Sequence, residues 1–162
     1  NILEESYGGD WVEGRRHGIG LYTYKFQDPI ESYEGEWCDN LRHGTGKLIY
    51  KDGGYYKGDF LRERMTGRGL YVWPDGSQYE GQWKDNQRHG EGTELSASGT
   101  VFRGQYWRNM RHGPGELTYL NGNRYEGVWD RDKIVGRGKY KLLVGTGKGG
   151  KEDTVGLRVF GY

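Results

Sequence analysis

Aromatic and polar residues alternate along this chain in short runs broken by glycine. In Tyr79-Glu80-Gly81-Gln82-Trp83 the first, third and fifth residues fall on one side of an extended strand and Glu80 and Gln82 on the other. Tyr33-Glu34-Gly35-Glu36-Trp37 and Tyr125-Glu126-Gly127-Val128-Trp129 repeat the pattern. A second alternating run follows each: Gly46, Leu48, Tyr50; Gly69, Tyr71, Trp73; Gly115, Leu117, Tyr119. The leading aromatic recurs at Tyr33, Tyr56, Tyr79, Phe102 and Tyr125, every 23 residues, with an earlier copy at Tyr7. Such a period predicts a tandem array of β-hairpins.

The connections between runs are of two kinds. Asp52-Gly53, Asp75-Gly76, Ser98-Gly99 and Asn121-Gly122 end one unit and begin the next, and the recurring Gly supplies a left-handed turn residue. Pro74-Asp75-Gly76 favours a three-residue loop, which sets Trp73 against Ser77, Tyr71 against Tyr79, Gly69 against Gly81, Leu48 against Tyr56 and Gly46 against Gly58. A two-residue loop would place the apolar sets of neighbouring strands on opposite faces. The facing glycines leave room for Tyr and Trp rings. The connection after each Trp reads as a turn from Asp39 to His43, or Asp85 to His89, with Gly14, Asn40, Asn86, Asn109 and Asp132 at one equivalent, left-handed position.

The array runs over residues 7–145, with units starting near 7, 33, 56, 79, 102 and 125. Its one insertion, in Gln27-Asp28-Pro29-Ile30, reads as a surface loop. Two units deviate: Met65-Thr66-Gly67 replaces Arg-His-Gly, and Glu94 and Ser96 stand where other units carry apolar residues. In the last unit Val135 replaces the turn His. Residues 146–162 read as a Gly/Lys-rich loop and a capping strand from Thr154, with Leu157, Val159 and Phe160 available to close the end. The sequence starts at Asn1 rather than Met, and Glu5-Ser6-Tyr7 echoes Glu31-Ser32-Tyr33, as expected of a piece of a longer array.

Composition sharpens this picture. Of the 162 residues 33% are hydrophobic, 29% are charged and 31 are Gly, which suits a thin sheet better than a thick core. A net charge of +1 gives nucleic-acid binding no support. The single Cys38 cannot form an internal disulfide and points to a reducing, cytoplasmic setting. No apolar run reaches the ~20 residues that span a bilayer.

Chemistry-bearing constellations are sparse. His17, His43, His89 and His112 all precede Gly, but repeat spacing sets equivalent side chains of neighbouring units ~10 Å apart, too far to share one metal. The expectation is no metal, no cofactor and no catalytic residue. Gly145-Thr146-Gly147-Lys148-Gly149-Gly150 fits a phosphate-loop pattern only formally, since Glu152 follows Lys151 and no helix pattern comes after. Cys38 reads as an outward strand-end residue, and Glu34 and Glu36 as solvated surface. Arg15, Arg16, Arg42, Arg88 and Arg111 would form a basic ridge for anionic lipid or an acidic partner, unless Asp39, Asp85, Asp130 and Asp132 offset it.

The quoted units resemble MORN repeats, with Tyr-x-Gly-x-Trp, a turn and His-Gly-x-Gly. The resemblance implies an all-β fold: an elongated single-layer antiparallel sheet, one hairpin per repeat, forming an open twisted trough without enzymatic activity. It also implies attachment to cytoskeletal and ciliary scaffolds, junctional membranes or larger enzymes. The dense Arg-His-Gly units and Val135-Gly136-Arg137-Gly138-Lys139-Tyr140 look most like radial-spoke head proteins of the ciliary axoneme. Independently, an aromatic face too long for this chain to cover predicts a scaffold that binds a protein segment or a second copy. The predicted contacts are Tyr24, Tyr50, Tyr56, Trp73, Tyr79, Tyr119 and Tyr125. Competing expectations are an anionic-lipid tether and the non-catalytic part of a larger enzyme.

Overall fold

The computed structural model describes residues 5–144 and 151–158, with Val144 and 151–158 as backbone only. These residues are all strand and turn. Two compact units divide the chain, residues 1–87 and 88–162. The first contains β1 (Ser6–Val12), β2 (Arg15–Thr23), β3 (Ile30–Cys38), β4 (Leu41–Tyr50), β5 (Tyr55–Leu61), β6 (Arg64–Val72) and β7 (Gln78–Lys84). The second contains β8 (Gln87–Leu95) but for its first residue, then β9 (Val101–Trp107), β10 (Met110–Thr118), β11 (Arg124–Asp130), β12 (Lys133–Val144) and β13 (Lys151–Arg158). Within each, every strand pairs antiparallel with its neighbour in sequence.

The register is the one the three-residue loop requires. Tyr71 faces Tyr79, Gly69 faces Gly81, Leu48 faces Tyr56 and Gly46 faces Gly58. At the loop itself the Trp73 N–H donates to Ser77 O at 2.9 Å and the Gly76 N–H to Trp73 O at 2.9 Å, with Gly76 at φ +84°. Asp52 and Asp75 stiffen their loops by accepting the N–H two residues on, each at 2.9 Å. The insertion forms a loop between β2 and β3, held by the Lys51 N–H, which donates to Pro29 O at 3.0 Å, and by the Lys51 ammonium on Phe26 O at 2.8 Å. At the far end the strand β13 starts at Lys151, earlier than Thr154, and residues 145–150, Val159 and Phe160 lie outside the described residues.

Glycine makes the core possible. Gly35 and Gly46 face each other across β3 and β4, and the Tyr33 ring lies over both. A Cβ on Gly35 would sit 2.5 Å from Gly46 Cα, and one on Gly46 would fall inside the Tyr33 ring and hydroxyl. Stripped of side chains, the two backbones accept a flat ring, and that ring is fully buried. The Tyr33 hydroxyl donates to Glu36 O at 3.0 Å, and Tyr56 and Tyr79 repeat the bond to Asp59 O and Gln82 O. Phe102 occupies the same site without a hydroxyl and is equally buried, so packing sets the position and the hydrogen bond adds to it.

Each ring then meets the last aromatic of its own strand edge to face: Tyr33–Trp37 centroids are 5.1 Å apart at 88°, Tyr56–Phe60 5.2 Å at 89°, Tyr79–Trp83 5.2 Å at 88°. It also meets the corresponding aromatic of the next repeat, as in Tyr7–Trp37, Tyr33–Phe60 and Tyr56–Trp83 at 5.1–5.5 Å. A zigzag of perpendicular rings thus runs from Trp11 to Tyr79, and Tyr106, Phe102, Trp129 and Tyr125 form a second one in the other unit. Such pairs contribute ~0.5–1.5 kcal/mol each beyond the area they bury.

The turn after each Trp is shorter than the sequence reading. It has two residues, both with positive φ: Asp39 (+49°) and Asn40 (+69°), Arg62 (+46°) and Glu63 (+74°), Asp85 (+49°) and Asn86 (+64°). This two-residue geometry matches the twist of the flanking strands. His43 therefore lies inside β4, beyond the turn, and precedes a bulge at Gly44 (φ +55°). The bulge amide that follows, Thr45 N–H, donates to Glu36 Oε1 at 2.8 Å, and Asp10 and Asp59 hold Ile19 and Arg68 in the same way. Glu36 is thus a bulge clamp rather than solvated surface. The Thr45 N–H and then its hydroxyl hold the Glu36 carboxyl below its ordinary range.

The turn tip also grips the preceding repeat. Asn86 offers its side-chain carbonyl to Met65 N–H at 2.8 Å while its own N–H donates to Met65 O at 3.0 Å. Asn40 grips Arg16 in this way, Glu63 grips Arg42, Asn109 grips Arg88 and Asp132 grips Arg111. The side chain imitates a peptide group and extends strand pairing from one repeat to the next.

Two measurements check this account. Gly46→Ala should lower unfolding free energy by ~1–3 kcal/mol through overpacking against Tyr33, whereas Gly8→Ala, with open space around it, should change it by under ~0.5 kcal/mol; chemical denaturation of both variants reads the difference. Burial pushes the Tyr33, Tyr56 and Tyr71 hydroxyls well above their ordinary value of 10.0. Above that pH the unfolded chain loses protons the folded one keeps, so stability is full below about pH 10 and falls as pH rises further. Phenolate absorbance of these rings should therefore appear together with loss of the circular dichroism of the sheet.

Candidate functional site

With the leading rings buried, the predicted contacts that keep open surface come from the ends of the second strands. The predicted contacts separate into two sets. Tyr56, Tyr79 and Tyr125 are 0%, 0% and 3% exposed, with the Tyr56 and Tyr125 rings lying over the glycine pairs Gly58/Gly69 and Gly127/Gly138, and a partner cannot reach them. Tyr24, Tyr50, Trp73 and Tyr119 are half-buried and keep ring surface open. Tyr50 is the last residue of β4, and Tyr24, Trp73 and Tyr119 lie one residue past the ends of β2, β6 and β10, two positions beyond Tyr22, Tyr71 and Leu117.

The densest part lies in the first unit. Tyr71 stands 4.6 Å from Trp73 and 5.8 Å from Tyr50, ring centre to ring centre, and its far side contacts Trp83 at 6.0 Å. Burial raises the Tyr50 and Tyr71 hydroxyls above their ordinary range. Tyr24 meets Tyr22 edge to face, with ring centres 4.6 Å apart. Arg42 holds Glu63 Oε2 through its Nε and Nη2 at 2.7 and 2.6 Å. Its Nη1 is buried and lacks a hydrogen-bond partner. Tyr71 was absent from the predicted contacts; its half-buried state follows from Tyr50 and Trp73 flanking it, which only the pairing of β4 with β5 and β5 with β6 reveals.

The second unit presents a different chemistry at the equivalent place. Glu94 replaces the apolar residue, and Arg88 and Arg111 each hold its Oε2 at 3.3 Å while the Tyr106 hydroxyl donates to the same oxygen at 2.5 Å. Burial first, and then the Glu94 bond, push the Tyr106 hydroxyl up. Sequence reasoning marked Glu94 as a deviation; its triple clamp follows from the column the register builds. Further along, Tyr119 stacks against Tyr140 at 6.0 Å.

The basic ridge does not form. Arg16 lies over Tyr22 and Trp37 at 4.5 Å, Arg42 over Phe60 at 5.8 Å, Arg88 over Tyr106 at 5.2 Å and Arg111 over Phe102 at 4.7 Å. These guanidinium groups cover the zigzag, and their side chains, apart from Arg16, are only 12–25% exposed in their ion pairs. Arg15 is the one that projects, at 57%, and it meets Asp39 at 3.5 Å. Arginine serves here because a planar cation stacks on a ring while its edge still binds a carboxylate.

The histidines are used singly. His89 stacks on Trp107 at 4.7 Å and His112 meets Asp130 at 3.1 Å. Among the described residues no group of three or more His, Cys, Asp or Glu could hold a metal ion. The glycine-rich 145–150 segment lies outside the described residues. Cys38 is half-buried at the end of β3.

No curated protein matches the chain as a relative. The family model of the MORN repeat matches six segments, 7–25, 33–55, 56–78, 79–101, 102–124 and 125–142, and skips the loop before β3. With the hairpin register, the glycine pairs and the recurring turns already on hand, the chain belongs to the MORN-repeat family, whose arrays serve as interaction modules for proteins or membrane lipids.

Proposed function

We propose that this chain is a non-catalytic scaffold that binds a protein segment across the half-buried aromatics Tyr24, Tyr50, Tyr71 and Trp73. The observation that carries this reading is the division of labour among the side chains. The leading aromatics and the arginines are taken up by the sheet, and the second-strand ends leave a cluster of rings with open surface. Amphipathic rings of this kind supply large contact area at low entropic cost, which is why they dominate protein interfaces.

The arginines that would recognise lipid headgroups are covering rings and pairing with Glu63 and Glu94, which favours a protein partner over an anionic membrane. We place the scaffold in a cytoplasmic, cytoskeleton-associated assembly. The radial spoke of the cilium is the setting supported by the Arg-His-Gly units and Val135-Gly136-Arg137-Gly138-Lys139-Tyr140.

The test is retention of axonemal protein from ciliated-cell extract by the immobilised chain, compared with Trp73→Ala and Tyr50→Ala. Each substitution should weaken retention about tenfold or more while the thermal midpoint falls by only a few degrees. Equal loss of binding and of folded protein would assign these rings to the sheet instead. Flotation with phosphatidylserine vesicles should be weak at all salt concentrations; strong flotation that fades with added salt would establish the headgroup mechanism in its place.

A further inference from the structure

The strands β11 and β12 of the second unit carry a polar face on the side away from the Tyr125 and Trp129 rings, and its charge is not balanced. Arg124 lies directly opposite Lys141, and Glu126 opposite Lys139. Arg124, Arg137 and Lys139 are exposed, while the Lys141 ammonium bends to Glu126 Oε1 at 2.7 Å. That hydrogen bond first, and then the charges of Lys141, Lys139 and Arg124, hold the Glu126 carboxyl below its ordinary range. Among the described side chains Arg124, Arg137 and Lys139 form no ion pair. The backbone register of β13 sets Thr154 against Lys141 and Gly156 against Lys139, so neither position brings an acid. On the other flank Arg103 faces Glu116, and the two offset each other.

The fold does not require this arrangement. The same cross-strand pair in other hairpins is Ser6–Thr23, Ser32–Ile49, Tyr55–Val72 or Val101–Thr118, none of them charged. Such pairs gain from side-chain contact, whereas like charges set directly opposite destabilise a sheet. The last repeat has also given up an acid. Val128 occupies the position from which Asp10, Glu36 and Asp59 clamp the bulge amide, and it is 44% exposed. With cations gained and an acid lost on one face, the surface complements a ligand that brings negative charge.

The layout selects among anionic ligands. Arg137, Lys139 and Lys141 alternate along β12 at a spacing of ~6.8 Å, and an extended polypeptide offers its alternate side chains at the same interval. A line of this kind suits one segment laid along the strand. A membrane would instead press a plane of headgroups onto the face, where Glu116 and Glu126, directly opposite each other on β10 and β11, would repel it. Pro114, Val128 and Val135 form an apolar row in register beside the cations, which a phosphodiester chain leaves uncovered and a peptide side chain covers.

We propose that the face of β11 and β12 carrying Arg124, Arg137, Lys139 and Lys141 docks an extended acidic segment of a partner protein, its alternate carboxylates lying along β12 and an aliphatic side chain on Val128. The site uses none of the residues of the first unit's ring cluster, so it stands independently of that reading.

Fluorescence anisotropy of a labelled peptide that alternates glutamate with serine and carries a single leucine, titrated with the 162-residue chain, should show saturable binding that weakens as salt is added. Lys139→Glu should raise the dissociation constant about tenfold or more while the thermal midpoint stays within ~2 °C. Arg124→Val, which restores the residue type of the other repeats, should weaken binding about threefold or more while the midpoint stays level or rises, because a like-charge pair is removed. A lowered midpoint with unchanged affinity would make Arg124 a structural residue and overturn the site. The same glutamates gathered into one block should bind more weakly; equal affinity overturns the alternating fit. Absence of binding by the alternating peptide, or preferential capture of phosphatidylserine vesicles or of oligothymidylate through the same residues, overturns the proposal as a whole.

Discussion

The whole structure rests on a ring lying across two facing glycines. A hairpin on its own has too little apolar surface to bury, and this chain has no helix among its described residues to cover a sheet. Removing two side chains lets a Tyr or Phe ring settle directly onto backbone, and Tyr33, Tyr56 and Phe102 are almost completely excluded from water as a result. The perpendicular contact with the next aromatic follows from that seat, since the seated ring exposes its edge to the ring beside it. A core one side chain thick becomes sufficient.

The same seat explains why arginine is used up. The zigzag needs a cover on its outer side, and a planar guanidinium provides one while keeping its charge compensated by Glu63 or Glu94. Charge that looks available in a linear sequence is thus structural in the fold. Tyr50, Tyr71 and Trp73 are half-buried and keep part of their ring surface open.

Much of this was legible in the residues. The 23-residue step, Pro74-Asp75-Gly76 and the alternation set the strands, their register and the ring-over-glycine packing, because each is a local consequence of period or turn chemistry. What was not legible depended on contacts between repeats. Asn40 and its equivalents announced left-handed backbone, but nothing local says that Asp39 shares it or that Asn40 reaches back to Arg16. Glu63, a poor residue for such a turn, is there for its bond to Arg42. Tyr56 and Tyr79 share the chemistry of Tyr50 and Trp73, and only burial separates rings that hold the sheet from rings that face outward. The arginine ridge failed for a related reason: alignment along one edge says nothing about which way a long side chain folds.

The part of the grip common to these junctions joins the turn residue to backbone atoms of the preceding repeat, and the side chains of Arg16, Arg42 and Arg88 add to it at three of them. It holds Met65 as well as it holds Arg16 or Arg88. Apart from the matched pair Arg42 and Glu63, neighbouring repeats therefore need not be fitted to one another in sequence for this backbone contact. Copies can be duplicated, lost or drift apart over evolutionary time without co-adapting, and the outward residues are free to diversify toward new partners while the joint between copies stays the same.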